Sequence, residues 1–244
     1  MKFLLPGLPL AFATAAVASP LQLEKRQCST TWRYQDAKRA PPGNYKAFDL
    51  GGCTSQLSFN KDQYISVQWA FEATYADGSR AEHKPFRDFD TFGVSDTFYP
   101  YLGNNFITRY PGNSAFTAVH EFTNVCSGGQ APVSWRFYTT WPECFTSGQI
   151  PPVSGATRPA KVSGVSLRRA NDAGDFQVSW SAVPTAAAYS AIVEYPTGTD
   201  EGTSTSVATT TRRQDVARKV IVHAVNSQGL WSFTNDVPPV VAGW

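Results

Sequence analysis

The sequence predicts an all-β protein with two β-sandwich-like domains, and three observations lead to this fold class. Residues 64–75 alternate apolar and polar side chains, the pattern of a strand with one buried face. Aromatic residues make up 14% of the chain and charged residues only 16%, and rings pack well on pleated surfaces. All four cysteines lie before residue 150, so we expect the first domain to be stapled by disulfides and the second to contain none.

The first 18 residues have the composition of a secretory signal peptide. Lys2 precedes a largely apolar run, and Ala16 and Ala18 are the small residues that a signal peptidase recognises. The run is too short and too interrupted by proline for a comfortable membrane span. We therefore expect residues 1–18 to be removed and the protein to be secreted and extracellular, without a membrane anchor.

A second processing signal follows the first. The dibasic pair Lys25-Arg26 stands directly before Gln27, which makes residues 19–26 a short propeptide. The arrangement resembles the kexin-type processing sites of small secreted proteins from filamentous fungi, so the resemblance implies a fungal source.

The cysteine count and the charge limit the classes of protein that are possible. Cys28, Cys53, Cys126 and Cys144 imply two disulfides, and their spacing leaves all three pairings open. No two of them are two to four residues apart, as zinc sites require. The net charge is +2 without a basic block, so we expect no nucleic-acid partner. We also expect no cofactor or metal, and a monomer.

Composition divides the mature chain into two domains. Residues 147–158 are rich in proline, glycine and serine and are predicted to be a linker. The linker separates a cysteine-containing β domain, residues 27–146, from a second domain, residues 159–241. In the second domain, residues 176–180 alternate in the manner of a strand, and residues 203–211 are polar enough for an edge strand.

Residues 159–241 resemble a fibronectin type III domain. The features that carry the resemblance are Pro159 before the first strand, Trp180 in the second, the strand Tyr189 to Tyr195, and the sequence Ala-Val-Asn-Ser-Gln-Gly at 224–229. The resemblance implies a β-sandwich that acts as a spacer or binding module.

Aromatic side chains in the predicted loops of the first domain are its most informative feature. Asp77-Gly78 predicts a hairpin turn, and strands are predicted at 116–125 and 133–139, which places the ring-rich segments between strands. Rings beside amides suit sugar binding, because a ring stacks on the apolar sugar face while amides bond hydroxyls. The candidate ligand-binding residues are Phe98, Tyr99, Tyr101, Asn104, Asn105 and Trp141. The alternative is that these rings fill a small core.

A catalytic alternative depends on histidines. His83 with Glu121, or His120 with Glu82, could meet across strands. Small secreted ribonucleases use a histidine together with a glutamate and an arginine. None of the longer sequence motifs of those enzymes is present in this chain.

The sequence thus favours a secreted binding protein over an enzyme. Its expected ligand is a cell-wall polysaccharide or a host protein, and an effector role follows if the source is a plant-associated fungus. The alternatives are a small hydrolase, ribonuclease or glycosidase, with a fibronectin type III spacer, and a structural wall protein.

The dibasic site gives a first prediction. The secreted protein should begin at Gln27, because a processing protease would cleave after Arg26. Mass spectrometry of the natural product measures this directly, and a start at Ser19 would contradict it.

Overall fold

The computed structural model describes most of the chain between residues 43 and 233, and every regular element in it is a β-strand. The described residues are 43–61, 68–83, 106–109, 116–141, 145–169, 176–195, 198–204, 206, 208–211 and 219–233. No helix long and apolar enough to cross a membrane occurs in these ranges.

Nine strands are described in the N-terminal half. They are β1 (Gly43–Asp49), β2 (Ser55–Lys61), β3 (Gln68–Thr74), β4 (Arg80–His83), β5 (Phe106–Arg109), β6 (Phe116–Phe122), β7 (Ser134–Trp141), β8 (Phe145–Thr146) and β9 (Val153–Ser154). One sheet has the order β5-β6-β2-β1-β9 and the other β4-β3-β7-β8. We call them sheet A and sheet B.

The core of the N-terminal sandwich is unusually aromatic. Phe59 from sheet A packs on Phe137 and Trp69 from sheet B, with ring centroids 4.4 and 5.4 Å apart. Each of these three rings is at most 3% exposed. At one end, a disulfide joins Cys53 to Cys126, so one of the predicted bridges is present. Cys28 and Cys144 lie outside the described residues.

Six strands lie in the described part of the C-terminal half. They are β10 (Ser166–Arg169), β11 (Phe176–Ser179), β12 (Ala188–Tyr195), β13 (Gly198–Ser204), β14 (Ala208–Thr211) and β15 (Lys219–Val225). The order β10-β11-β14 forms sheet E, and β13-β12-β15 forms sheet F. They form a fibronectin type III-like sandwich, with Trp180 and Tyr189 in its core. The predicted fold class, all-β with two sandwiches, is therefore confirmed.

Several predicted elements are confirmed and others differ in detail. The Asp77-Gly78 turn joins β3 to β4, with Asp77 Oδ1 accepting a hydrogen bond from the Ser79 amide. Residues 203–211 do not form one strand, because β13 and β14 belong to different sheets. The break is a serine turn in which the Ser206 amide donates to Ser204 Oγ at 3.0 Å.

Part of the predicted linker is ordered against the N-terminal sandwich. Ile150 exchanges two backbone hydrogen bonds with Trp135, and β9 pairs in parallel with β1. The proline, glycine and serine content predicted a linker that resists helix and sheet, because composition carries no information about these edge pairings. The domain limits at residues 146 and 159 remain predictions.

The two sandwiches pack face to face. In sheet A the side chains that point away from the aromatic core include Phe48, Gln56, Ser58 and Val119, and all are buried. In sheet F the side chains that point away from the C-terminal core include a buried set: Ala188, Ser190, Ile192, Ile221, His223 and Val225. We call the buried side chains between these two sheet faces the inter-sandwich layer. The described chain therefore stacks as four sheets, in the order B, A, F, E.

Direct contacts define the inter-sandwich layer. Val119 of sheet A packs with Ala188, Val225 and Trp231 of the C-terminal sandwich in one buried cluster. The hydroxyl groups of Thr108 and Ser190 are hydrogen-bonded to each other across the layer. These contacts make the second sandwich part of one packed body.

A glutamine forms the most specific link across the layer. Gln56 Oε1 accepts a hydrogen bond from the Trp231 amide at 2.8 Å, and Gln56 Nε2 donates to the Trp231 carbonyl at 3.1 Å. Gln56 is 1% exposed and Trp231 is 2% exposed. The side-chain amide thus forms hydrogen bonds with both the amide and the carbonyl of Trp231, and buried backbone groups of this kind require such partners.

Replacement of this glutamine tests the link. Gln56→Ala should lower the free energy of unfolding by about 2–5 kcal/mol, because it removes the hydrogen bonds that two buried backbone groups make to this side chain. Urea denaturation of the full chain measures the loss. The matched control is Gln177→Ala, whose amide oxygen bonds Arg168 on an exposed face, and whose effect should stay within about 0.5 kcal/mol. Equal losses for the two variants would contradict the assignment.

Candidate functional site

The predicted ring site falls almost entirely outside the described residues. Phe98, Tyr99, Tyr101, Asn104 and Asn105 precede β5, and nothing is described of them. The backbone of Trp141 ends β7, paired with Gln68, but its side chain is not described. The processing residues Ala18, Lys25 and Arg26 also lie outside these ranges. The ring hypothesis is therefore unchanged by the structure.

His120 is a core residue with a defined partner. It lies on β6, is 1% exposed, and faces the aromatic core. Its Nε2 accepts a hydrogen bond from Trp69 Nε1 at 2.9 Å, so this nitrogen carries no proton. Burial lowers the pKa of His120 to about 3. The ring is thus held neutral, and it contributes to the packing of the two sheets.

His83 occupies the edge of the same core. It ends β4, half-buried, and its ring lies 5.6 Å from that of Phe122 and 5.3 Å from that of Trp135. Burial lowers the pKa of His83, while the charge of Glu82 opposes the shift. Phe122 lies between the two histidines, with its ring 6.4 Å from that of His120.

The expected histidine–glutamate pairs do not form between strands. β4 pairs with β3 in sheet B, whereas β6 pairs with β2 and β5 in sheet A, so no ladder aligns His83 with Glu121 or His120 with Glu82. The sequence showed acids next to histidines but not which strands were neighbours. Each carboxylate has a different partner: Glu82 accepts from the hydroxyl of Tyr138, and Glu121 pairs with Arg158 at 2.5 Å.

A row of polar side chains crosses the outer face of sheet B. The register places Arg136, Glu72 and Glu82 side by side on β7, β3 and β4. Arg80 pairs with Glu72 at 3.4 Å, and the side chain of Glu72 is only 10% exposed. The hydroxyl of Tyr138 has a raised pKa, chiefly through burial and then through its bond to Glu82. The described residues contain no group of three or more histidine, cysteine, aspartate or glutamate side chains able to hold a metal ion.

The Ala-Val-Asn-Ser-Gln-Gly sequence forms a closed turn at the inter-sandwich layer. Asn226 Oδ1 accepts from the amides of Gln228 and Leu230 at 3.0 and 2.9 Å. Gly229 adopts a φ of 91°, a conformation that favours glycine. A Cβ there would meet Lys46 Nζ, which donates to the Gln228 carbonyl at 2.9 Å.

Sequence reasoning missed the residues that hold the two sandwiches together. Gln56 and Ser58 alternate with apolar residues just as solvent-facing residues do, and His223 stands in an apolar run, so nothing in the pattern marks them. Arg158 lies in the predicted linker, yet its guanidinium pairs with Glu121 and stands 3.9 Å from the ring centroid of Phe233. The only available signal was the motif at 224–229, whose asparagine also donates to the Thr157 carbonyl.

Comparison with known proteins gives a fold resemblance of low similarity. No protein-family model matches the sequence, and no curated protein matches it. The FN1–FN3 domains of chicken CNTN1 are similar at 9% identity, over 84% of this chain and 99% of that one, with a TM-score of 0.31. A two-domain fibronectin type III segment of chicken tenascin has 11% identity, coverage of 80% and 95%, and a TM-score of 0.28.

A pullulanase from Anoxybacillus sp. LM18-11 is similar at 13% identity, over 82% of this chain and 28% of that one, with a TM-score of 0.25. These values carry no argument about function. The description of the fold rests on the strand order of this chain.

The buried state of His120 predicts a pH dependence. The pKa is about 3 in the folded protein against an ordinary value of 6.5, so unfolding takes up a proton below pH 6.5. Stability should be intact above that pH and decline as pH falls towards 3, by up to about 1.4 kcal/mol per pH unit for this one ring. His120→Gln, which keeps an acceptor for Trp69, should reduce the slope by that amount.

Urea denaturation between pH 7 and pH 5 checks this slope, since ordinary carboxylates titrate mainly below that window. His83→Gln is the control, because its ring is only half-buried and its effect on the slope should be smaller. A wild-type slope unchanged by His120→Gln would show that His120 is already protonated or exposed.

Proposed function

We propose that this chain is a secreted protein that binds an extracellular polysaccharide through ring side chains of its N-terminal domain. The binding residues in this proposal are Phe98, Tyr99, Tyr101, Asn104, Asn105 and Trp141. The C-terminal sandwich acts as a fibronectin type III module that stiffens the molecule, and a host protein is the alternative ligand.

The observation that carries the proposal is the face-to-face packing of the two sandwiches. Strands β5 and β7, next to which the sequence places the ring segments, belong to a framework anchored through Gln56 and the Val119 cluster. Binding to a fixed surface costs less ordering entropy than binding to a mobile one. A rigid framework therefore suits a protein whose task is recognition.

The state of the ionisable residues favours binding over hydrolysis. A general base needs a pKa near the working pH and access to substrate. His120 meets neither condition, since it is buried with a pKa of about 3 and already accepts from Trp69. Glu121 is held by Arg158. These groups have structural roles in the part of the chain that the structure describes.

A wall-polysaccharide binding assay tests the proposal. The full secreted protein should bind at least one of insoluble chitin, β-1,3-glucan and cellulose. The double variant Tyr99→Ala/Tyr101→Ala should bind about ten-fold or more weakly, because stacked rings contribute roughly 1–3 kcal/mol each to bases and a similar scale is assumed for sugars. The control variant is Phe233→Ala, which removes a ring that is 42% exposed in the other sandwich.

An RNA-degradation assay on the same preparation separates the rival function. RNA cleavage that disappears in His83→Gln, together with polysaccharide binding that is absent in the wild type, would replace the binding proposal with the hydrolase. Equal loss of binding in the loop and Phe233 variants would show that the loop rings are not the site.

A further inference from the structure

A histidine lies inside the inter-sandwich layer. His223 is on β15, opposite Ser190 of β12. Its neighbours along the strand, Val222 and Ala224, point into the C-terminal core, so His223 points towards sheet A. It is 0% exposed, and its ring lies 6.3 Å from that of Trp231, edge to face.

The contacts around His223 are those that join the sandwiches. Trp231 receives both hydrogen bonds of Gln56, and Ser190 is hydrogen-bonded to Thr108 of β5. A positive charge on the His223 ring would therefore sit in the middle of the layer, between apolar side chains and neutral hydroxyl and amide groups. Burial lowers the pKa of His223 to about 3, and a hydrogen bond with the backbone of Ser232 partly opposes that shift.

On the elements that face His223, the charged groups Lys46 and Glu121 have described partners. On sheet A, Lys46 donates to the Gln228 carbonyl, and Glu121 pairs with Arg158 from the connection between the sandwiches. On sheet F, Lys219 stands at the far end of β15, opposite Glu194 in register. Arg109 ends β5, and Glu201 of β13 pairs in register with Ile192 of β12, but the side chains of Arg109 and Glu201 are not described.

We propose that His223 makes the inter-sandwich layer sensitive to acid, so that its protonation separates the facing sheets while each sandwich stays folded. When the layer opens, the ring enters water, where it binds a proton readily below its ordinary pKa of 6.5. The open form is stabilised by about ten-fold for each pH unit below that value, as long as the closed form stays unprotonated. The N-terminal sandwich would then expose the outer face of sheet A in an acidic medium.

One backbone amide reports this opening directly. The Trp231 amide donates to Gln56 across the layer, so it exchanges with solvent when the layer opens. The Ser232 amide donates to the Ala224 carbonyl within the C-terminal sandwich, and the Val125 amide to the Cys53 carbonyl within the N-terminal one. These two exchange only when their own sandwich opens.

Amide hydrogen exchange of the full chain between pH 7 and pH 4.5, corrected for intrinsic rates, tests the proposal. The protection of the Trp231 amide should fall about 100-fold over this range, because pH 4.5 lies two units below 6.5 and each unit contributes about ten-fold. At every pH it should stay lower than the protection of the Ser232 and Val125 amides. In His223→Gln the protection of Trp231 should be flat, while that of Val125 should still fall because His120 remains.

Two results would overturn the proposal. The first is a wild-type Trp231 protection that does not change with pH, or that equals the protection of Ser232 and Val125 throughout, which would mean that the layer opens only by unfolding. The second is a fall of the same size in His223→Gln. The wild-type comparison alone is decisive if this variant does not fold.

Discussion

The paired hydrogen bonds between Gln56 and Trp231 are the interaction on which the arrangement of the molecule depends. A β-sandwich normally turns its outer sheet faces to water. Here sheet A and sheet F cover each other, so polar residues that could have been hydrated must find partners in the layer. Gln56 forms hydrogen bonds with both backbone groups of Trp231. The hydroxyl groups of Thr108 and Ser190 form a hydrogen bond with each other. Because the hydrogen bonds are directional, they set one alignment of the sandwiches where apolar contact alone would allow several.

The connection between the sandwiches is part of the same constraint. Its first section runs along the edge of the N-terminal sandwich through Ile150 and β9. In its second section the Thr157 carbonyl accepts a hydrogen bond from the Asn226 side chain, and Arg158 forms an ion pair with Glu121. The pair of Arg158 and Glu121 is largely buried, so the loss of either side chain would leave the other charge buried without compensation. The short covalent link and the turn at Asn226 therefore act together to position the second sandwich.

Sequence patterns predicted what depends on one strand or one turn. The alternation over residues 64–75 located β3, and the Asp77-Gly78 pair located its hairpin. Trp180, on which the resemblance to a fibronectin type III domain was based, lies in the core of the C-terminal sandwich. Strands β1 and β2 were missed, and in β2 the polar side chains of Gln56 and Ser58 are buried by the other sandwich. A sequence shows that Gln56 and Ser58 are polar, but not that another sheet covers them. The pairing of histidines with glutamates failed for a related reason, since it required knowing which strands share a sheet.

Protonation of the two buried histidines affects different interfaces, because the two rings lie in different layers of the molecule. His120 is enclosed by rings within one sandwich and accepts a hydrogen bond from Trp69, so a proton on it opposes the packing of sheet A on sheet B. His223 lies between the sandwiches, so a proton on it opposes the packing of sheet A on sheet F. Both rings have pKa values lowered to about 3 by the same physical cause, burial. The position of each ring therefore decides which interface responds to acid: the interface between sheets B and A for His120, and the interface between sheets A and F for His223. Sheet A takes part in both interfaces.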